Sequence, residues 1–599
     1  MVMLKSSFVV LAAYLASVSF VAGKLYESIA DVPKGVQFDY IIVGGGNAGN
    51  VVANRLSEDS SVQVLVLEAG NADLENPVIA IPFYCLRIPY SYNWNYTTVA
   101  QPGLNGRPID FPRGRVLGGS SAVNGMWYSR GSAEDWDRYA QIAGDSGWSW
   151  AGIQPYIQKS ERWTLPKGID GSNMYEPSAH GTEGVTPIGP PGHKFTIDDR
   201  ILQVSKDLPD EFPFNKDAND GTPLGLGTLH LTVGNGARAS SASAYLAPKY
   251  LNRPNLHVVI HSTVSRVVKT GHENGKPVFR KVEFRQGVGA TKVQSLQARR
   301  EIILSAGVIG SPHILLNSGI GPAKDLEAVG VHTVVDSPQV GKNLVDHIRV
   351  AAAWQVKTNN ETFDDINRSA ELNAQLQQTW ASSRTGPLVN SFGNHWSFHR
   401  LPTDSPAYES GVKDPVAGPK TPHFEIGYHN GLLGTPPANG SFFTTTIRTV
   451  APASRGTVKL ASSDPFAAPL IDPAYLDNEF DMQTLMEAVR SAYRFVAAPS
   501  FKDYIIAPLG LADPSDNAAL RAFIRNTGST SAHPTGSVAF SRKGQPGALD
   551  PDLKVKGVEG LRVIDVSVLP FIPSAHTQAA AYIVGERGAD LVKESQRKQ

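Results

Sequence analysis

One cysteine, Cys85, stands in 599 residues. With no second thiol the chain cannot close an internal disulfide, and iron–sulfur clusters and cysteine-based zinc sites are excluded. Stability must come from a buried core, which a chain of this length can supply. Cys85 itself is expected to be a buried small apolar side chain. Excess charge of one sign is also missing: Lys plus Arg and Asp plus Glu are 55 each. No strong field gathers nucleic acid or acidic lipid, which argues against a nucleic-acid partner. Beyond residue 23 there is no apolar run of membrane-spanning length. The run near the start, Phe8 to Val21, follows Lys5, ends at Val21-Ala22-Gly23, and falls short of the ~20 residues that span hydrocarbon. Residues 1–23 therefore read as a signal peptide, and the expectation is a secreted protein with no membrane partner. Four sequons, at Asn95, Asn360, Asn367 and Asn439, point the same way as candidate glycosylation sites.

What is present begins with a nucleotide-binding unit. Phe38 to Val43 is a short β-branched run suited to a buried parallel strand. It passes through Gly44-Gly45-Gly46-Asn47-Ala48-Gly49 into a helical stretch to Leu56. Glycines at 44, 46 and 49 fit the dinucleotide fingerprint: a tight turn, close approach to a pyrophosphate, and close helix–strand packing. The helix N-terminus supplies free N–H groups to phosphates. A second strand, Val62 to Leu67, ends in Glu68-Ala69, where the fingerprint places a carboxylate for ribose hydroxyls. This unit alone does not separate FAD from NAD.

Two longer stretches do. Gly114-Arg115-Val116-Leu117-Gly118-Gly119-Ser120-Ser121-Ala122-Val123-Asn124, continuing through Tyr128, Gly131 and Asp137, resembles the first signature of the glucose-methanol-choline (GMC) flavin oxidoreductases. Gly307 to Gly321 resembles the second, departing where Val308 replaces a small or hydroxyl residue. The resemblance covers the chain out to Val584-Gly585 and implies FAD as cofactor. It places Gly44, Gly46, Asn47, Ala48, Gly49, Glu68, Ala69, Arg115, Gly118, Gly119, Ser120, Asn124, Gly125, Val264, Asp565, Thr577 and Gln578 around it. Independently of family, Gly118 to Ser121 is a loop whose N–H and hydroxyl groups suit a diphosphate or an isoalloxazine edge. The family's sugar dehydrogenases tether flavin through a His just before the Asn; Val123 stands there, so non-covalent FAD is expected. No metal is expected.

The catalytic candidates are His533, in Ser531 to Ser537, and His576, in Pro573 to Gln578. Moving a hydride from an alcohol carbon to flavin requires removing the hydroxyl proton, a task suited to imidazole. Small and hydroxyl residues follow each of these two among 15 histidines. By the family pattern His533 is the base and His576 shares the substrate oxygen. Thr577-Gln578 would face the flavin pyrimidine from a helix start, whose dipole stabilises the anionic reduced ring.

The expected fold is α/β: a Rossmann-like FAD-binding domain from non-contiguous segments (36–149, 231–324 and 531–599) and an α+β substrate-binding domain with an antiparallel sheet (150–230 and 325–530). Trp94 to Thr98, Asp550 to Val558 and Ala575 to Gln578 resemble fungal aryl-alcohol oxidases and pyranose dehydrogenases. Gly125 and Ala532 stand where the former usually carry aromatic residues, which predicts a wider pocket without rings at those positions. The expected reaction is oxidation of a primary aryl or allylic-type alcohol, with O2 as acceptor and H2O2 released. The alternatives are a dehydrogenase of sugars or a secondary-metabolite alcohol using a quinone, and a hydroxynitrile-lyase-like enzyme with silent FAD.

Overall fold

The computed structural model describes residues 25–358 and 361–597; the leader reading of residues 1–23 and the sequon at Asn360 lie outside them. One part of the fold is organised by a six-stranded parallel sheet. Its order is Leu25–Tyr26, Leu256–Val259, Val64–Leu67, Tyr40–Val43, Glu301–Leu304, Leu561–Val563. Strands far apart in sequence thus become neighbours. The inner strands are four residues long, mostly apolar and fully buried, as expected where both faces are covered. The helix Asn47–Leu56 crosses the C-terminal helix Gln578–Arg597 closely, since a Cβ on Gly585 would lie 2.8 Å from Val51 Cβ.

An antiparallel meander, Ser262–Glu273, Lys276–Gln286 and Val293–Gln297, follows the strand Leu256–Val259. Its first turn is Asn274-Gly275, both at positive φ (50° and 74°) between paired Glu273 and Lys276, the backbone of a tight two-residue hairpin. Sequence reading placed only the flanking strands here, although Asn-Gly is a hairpin signal.

The second large element is a seven-stranded antiparallel sheet. Ile505–Pro508, Ile348–Val356, Ser441–Thr449, Phe424–His429, His395–His399 and Gly225–Thr228 follow one another, and Ser529–Thr530 also pairs with Ile348–Val356. Its outer face packs Ile426, Tyr428, Phe443 and Ile447 against the helix Glu479–Val496. Its inner face carries Trp396, Glu425, Gly427, Thr446 and Arg448, and is buried as well. Among the described residues no helix is long and apolar enough to cross a membrane.

Candidate active site

The glycines of the first turn have separable reasons. Gly44 lies at φ +104°, and a Cβ there would sit 2.4 Å from Ser305 O; one on Gly49 would sit 2.0 Å from Gly44 O. Both are therefore fixed by the protein's own packing. Gly46 is different: its φ of −91° suits any residue, and its Cβ would meet only Gly119 Cα, at 3.8 Å. Among the described residues nothing crowds a Cβ there, so the opening fits a ligand lying against the backbone. The helix Asn47–Leu56 has no side-chain cap at Gly46, leaving its first N–H groups to an anion.

Several of the residues expected to surround the cofactor touch one another. Asn47 Oδ1 accepts from the Ser121 N–H at 3.0 Å, joining the first turn to the 3-10 turn Gly119–Ala122. Gly118 donates its N–H to Gly45 O at 2.7 Å, and Ser120 Oγ accepts from Gly114. Glu68, followed by Ala69, ends its strand and accepts the N–H groups of Gly45 (2.8 Å) and Gly70 (2.7 Å); burial pushes its carboxyl up to about 7. Arg115 stacks over Trp94 at 5.0 Å, and its buried Nε has no partner. Asn124 Nδ2 donates to Gln578 Oε1 at 2.6 Å, and Gln578 opens the C-terminal helix just after Thr577. Ala48 lies in the first turn of its helix, and Val264 on the meander strand opposite Phe284. The carboxylate of Asp565 is committed to the protein: it accepts from Ser567 N, Gly307 N and Ser311 Oγ.

His533 and His576 meet edge to face, with ring centroids 4.5 Å apart. The loop bearing His533 is zipped to Val345-Asp346-His347: Val345 and Thr535 exchange backbone bonds, and Ser531 N donates to His347 O. The His533 N–H donates to Asp346 Oδ1 at 2.8 Å, and its Nδ1 lies 3.1 Å from Nδ1 of His347. Burial, with His576, His347, Arg448 and Arg113 nearby, holds the His533 imidazole well below the ordinary histidine range. The His576 N–H donates to Ser129 Oγ, and its Nε2 lies 2.8 Å from Arg448 and 3.1 Å from both Glu425 oxygens. Burial lowers this imidazole too, against the pull of Glu425.

Sequence reading missed the layer behind His576. Glu425 and Arg448 are direct cross-strand partners, joined at 2.7 Å and almost fully buried. Arg448 also donates to Thr446 Oγ1, which bonds His429 Nε2 at 2.8 Å. Trp127 lies 5.2 Å from His576 and occupies the space that Gly427 leaves, where a Cβ would come within 2.5 Å of its ring. Gly125 does not open the pocket, contrary to what its lack of a side chain suggests. A Cβ on Gly125 would lie 2.6 Å from Phe392, whose ring stacks on Trp127 (5.2 Å) and His429 (5.1 Å). A ring from a distant loop fills that place. Ala532 sits at φ +60°, with its carbonyl held by Arg113. Cys85 is buried, 3.8 Å from Ser391 Oγ. The sequon residues Asn95, Asn367 and Asn439 are exposed.

His180, Asp217 and His230 also cluster, but their atoms are engaged. His180 bridges Asp217 and Glu161, while His230 pairs with Asn219 and Met174 O.

This combination of a parallel nucleotide-binding sheet and a paired-histidine site under an antiparallel sheet defines a flavin-dependent oxidoreductase. The chain belongs to the GMC oxidoreductase family: its N-terminal model matches residues 38–349 and its C-terminal model residues 452–585. A dehydrogenase, eriK, of Hericium erinaceus is 39% identical over 98% of this chain and 99% of its own. A pyranose dehydrogenase of Agaricus xanthodermus is 36% identical over 95% of both chains. A formate oxidase variant of Aspergillus oryzae superposes with a TM-score of 0.84 at 29% identity, covering 94% of this chain and 99% of its own. A fungal aryl-alcohol oxidase gives 0.81 at 25%, covering 94% and 99%.

Proposed function

We propose that this FAD-dependent GMC oxidoreductase oxidises a primary alcohol bearing an aromatic or unsaturated group to its aldehyde. The observation that carries the reading is the edge-to-face imidazole pair beside Asn124 and Gln578, walled by Trp127, Phe392 and Trp396. When bound, FAD supplies the two-electron acceptor for a hydride. His533, neutral at working pH, takes the hydroxyl proton, so that the product leaves as a neutral aldehyde. His576, oriented by Ser129, Glu425 and Arg448, holds the substrate oxygen. The aromatic wall stacks a flat group and excludes water. Val123, where a tether would require His, supports non-covalent FAD.

The electron acceptor is a separate matter. Relatives at 35–39% identity are named dehydrogenases, which favours an organic acceptor such as a quinone over O2. The pyranose dehydrogenases among them favour, as a second reading, a sugar substrate. The apolar leader and the exposed sequons support secretion with glycosylation, and the two sheets support a division into cofactor-binding and substrate-binding domains.

The test is anaerobic mixing with benzylic, allylic, aliphatic and sugar alcohols while flavin absorbance is followed. One alcohol class should bleach the wild type, and His533→Ala should slow bleaching on the order of 10²–10⁴-fold while keeping FAD. Bleaching at a near wild-type rate in that variant removes His533 as base. A silent flavin during substrate turnover would instead favour lyase chemistry. Timing reoxidation in air separates O2 from an organic acceptor.

A further inference from the structure

Beside His533, in addition to His576, lies a further histidine that the reaction does not use. His347 is fully buried at the end of the segment that pairs with the His533 loop. Its Nε2 lies 3.1 Å from Val450 O, and its Nδ1 lies 3.1 Å from Nδ1 of His533. A backbone carbonyl can only accept, so the Val450 contact is a hydrogen bond only when His347 Nε2 carries hydrogen. Burial pushes the His347 imidazole down to about 3, so it is neutral and has no hydrogen on Nδ1. The Nδ1–Nδ1 contact is then a hydrogen bond in one direction: His533 donates and His347 accepts.

We propose that His347 is a positioning residue that fixes the tautomer of His533, holding hydrogen on its Nδ1 and leaving its Nε2 as the bare, basic nitrogen. The chain runs from the Val450 carbonyl through His347 to His533, and each link is set by the one before. A free imidazole prefers hydrogen on Nε2, the tautomer that could not accept an alcohol proton there. Among the described residues nothing bonds Nε2 of His533, which leaves that atom to substrate. Asp346, whose carboxylate takes the His533 N–H, Thr530 and Tyr475, holds the main chain rather than the ring. The ring therefore has a neutral partner instead of a carboxylate. Burial, with Arg113 and Arg448 nearby, keeps the His533 ring neutral, so its Nε2 lone pair is free to accept before substrate arrives.

This inference rests on His533 being the base, and the experiment keeps the two claims apart. In holoenzyme labelled with 15N-histidine, with His533→Ala used to assign the signal, His533 should show a protonated Nδ1 and a bare Nε2. His347→Asn keeps an acceptor oxygen near the former Nδ1. It should preserve that pattern and reduce flavin within about threefold of wild type. His347→Gln can reach Val450 but offers no acceptor at Nδ1. It should shift hydrogen to Nε2 and slow flavin reduction roughly 10–100-fold, part of the whole contribution of a positioned base. Hydrogen on Nε2 in the wild type, or an unchanged pattern in His347→Gln, overturns the proposal. Normal flavin reduction by His533→Ala removes the base assignment while leaving the tautomer result standing.

Discussion

The ring of Phe392 and the missing side chain of Gly125 occupy one space, so they should be exchangeable only together. A Cβ added to Gly125 would lie 2.6 and 2.9 Å from two ring atoms of Phe392, about 1 Å inside the usual carbon–carbon contact. Gly125→Ala should therefore cost about 1–3 kcal/mol through overpacking. Phe392→Ala removes a part-buried ring stacked on Trp127 and His429. Its cost should fall near the low end of the ~3–5 kcal/mol typical of buried Phe→Ala. In that background Gly125→Ala should be nearly free, giving a coupling of roughly 1–3 kcal/mol. Denaturant midpoints of the four proteins, with FAD saturating, measure it. Gly125→Phe combined with Phe392→Ala should also restore part of the stacking wall and the kcat/KM for a flat alcohol that Phe392→Ala loses. Equal cost of Gly125→Ala with and without the Phe392 ring would refute the shared-space argument.

Gly46→Val should leave the apoprotein as stable as wild type, since its Cβ meets only Gly119 Cα at 3.8 Å, yet abolish FAD binding; loss of thermal stability in the apo form would count against this. Arg448→Met should cost about 3–5 kcal/mol by stranding Glu425 and should raise the His576 pKa, adding an ionisation to the pH profile of flavin reduction; adding Glu425→Gln should recover much of the stability. Burial holds His230, His313 and His399 at about 4 and His347 and His429 at about 3, below the ~6.5 of an unfolded chain. The unfolded state then binds more protons at these histidines below pH 6.5, so they make stability fall on acidification, by up to ~1.4 kcal/mol per unit for each group, against the opposing pull of Glu68, raised to about 7; an apparent Tm that is constant from pH 7 to 5 would contradict it.

The cofactor end was legible in the sequence because its constraints are local. Gly44 and Gly49 are demanded by atoms within a few residues or on the adjoining strand, and the strands around them are plain apolar runs. The strand expected at His257 to Ile260 is found at Leu256–Val259, and the one at Glu301 to Leu304 as expected. His533 and His576 carried enough context to be paired. Phe392 had no such mark. Its role comes from a loop that folds back over Gly125, a contact between positions far apart in sequence, and from the absence of a Cβ, which sequence shows only as a glycine. His347 was silent for the same reason: its meaning lies in which atom of another ring it touches.

The inner face of the antiparallel sheet shows a deeper limit. Alternation along Phe424–His429 and Ser441–Thr449 correctly separates two faces, one with Ile426, Tyr428, Phe443 and Ile447, the other with Glu425, Gly427, Thr446 and Arg448. Period-2 patterning ordinarily assigns the polar face to water. Here both faces are buried, because Trp127 and the histidine loops cover the polar one. Only the register, which sets Glu425 opposite Arg448 and Gly427 opposite Thr446, shows that the polar residues satisfy one another. A buried ion pair of this kind is weak support for stability, since apolar replacements often do as well or better. Its physical use here is directional. The pair sits on two paired strands with the helix Glu479–Val496 behind them, and it meets His576 at a single nitrogen. The site therefore takes its orientation from two strands buried on both faces, and the charge buried there serves to hold the imidazole in one place.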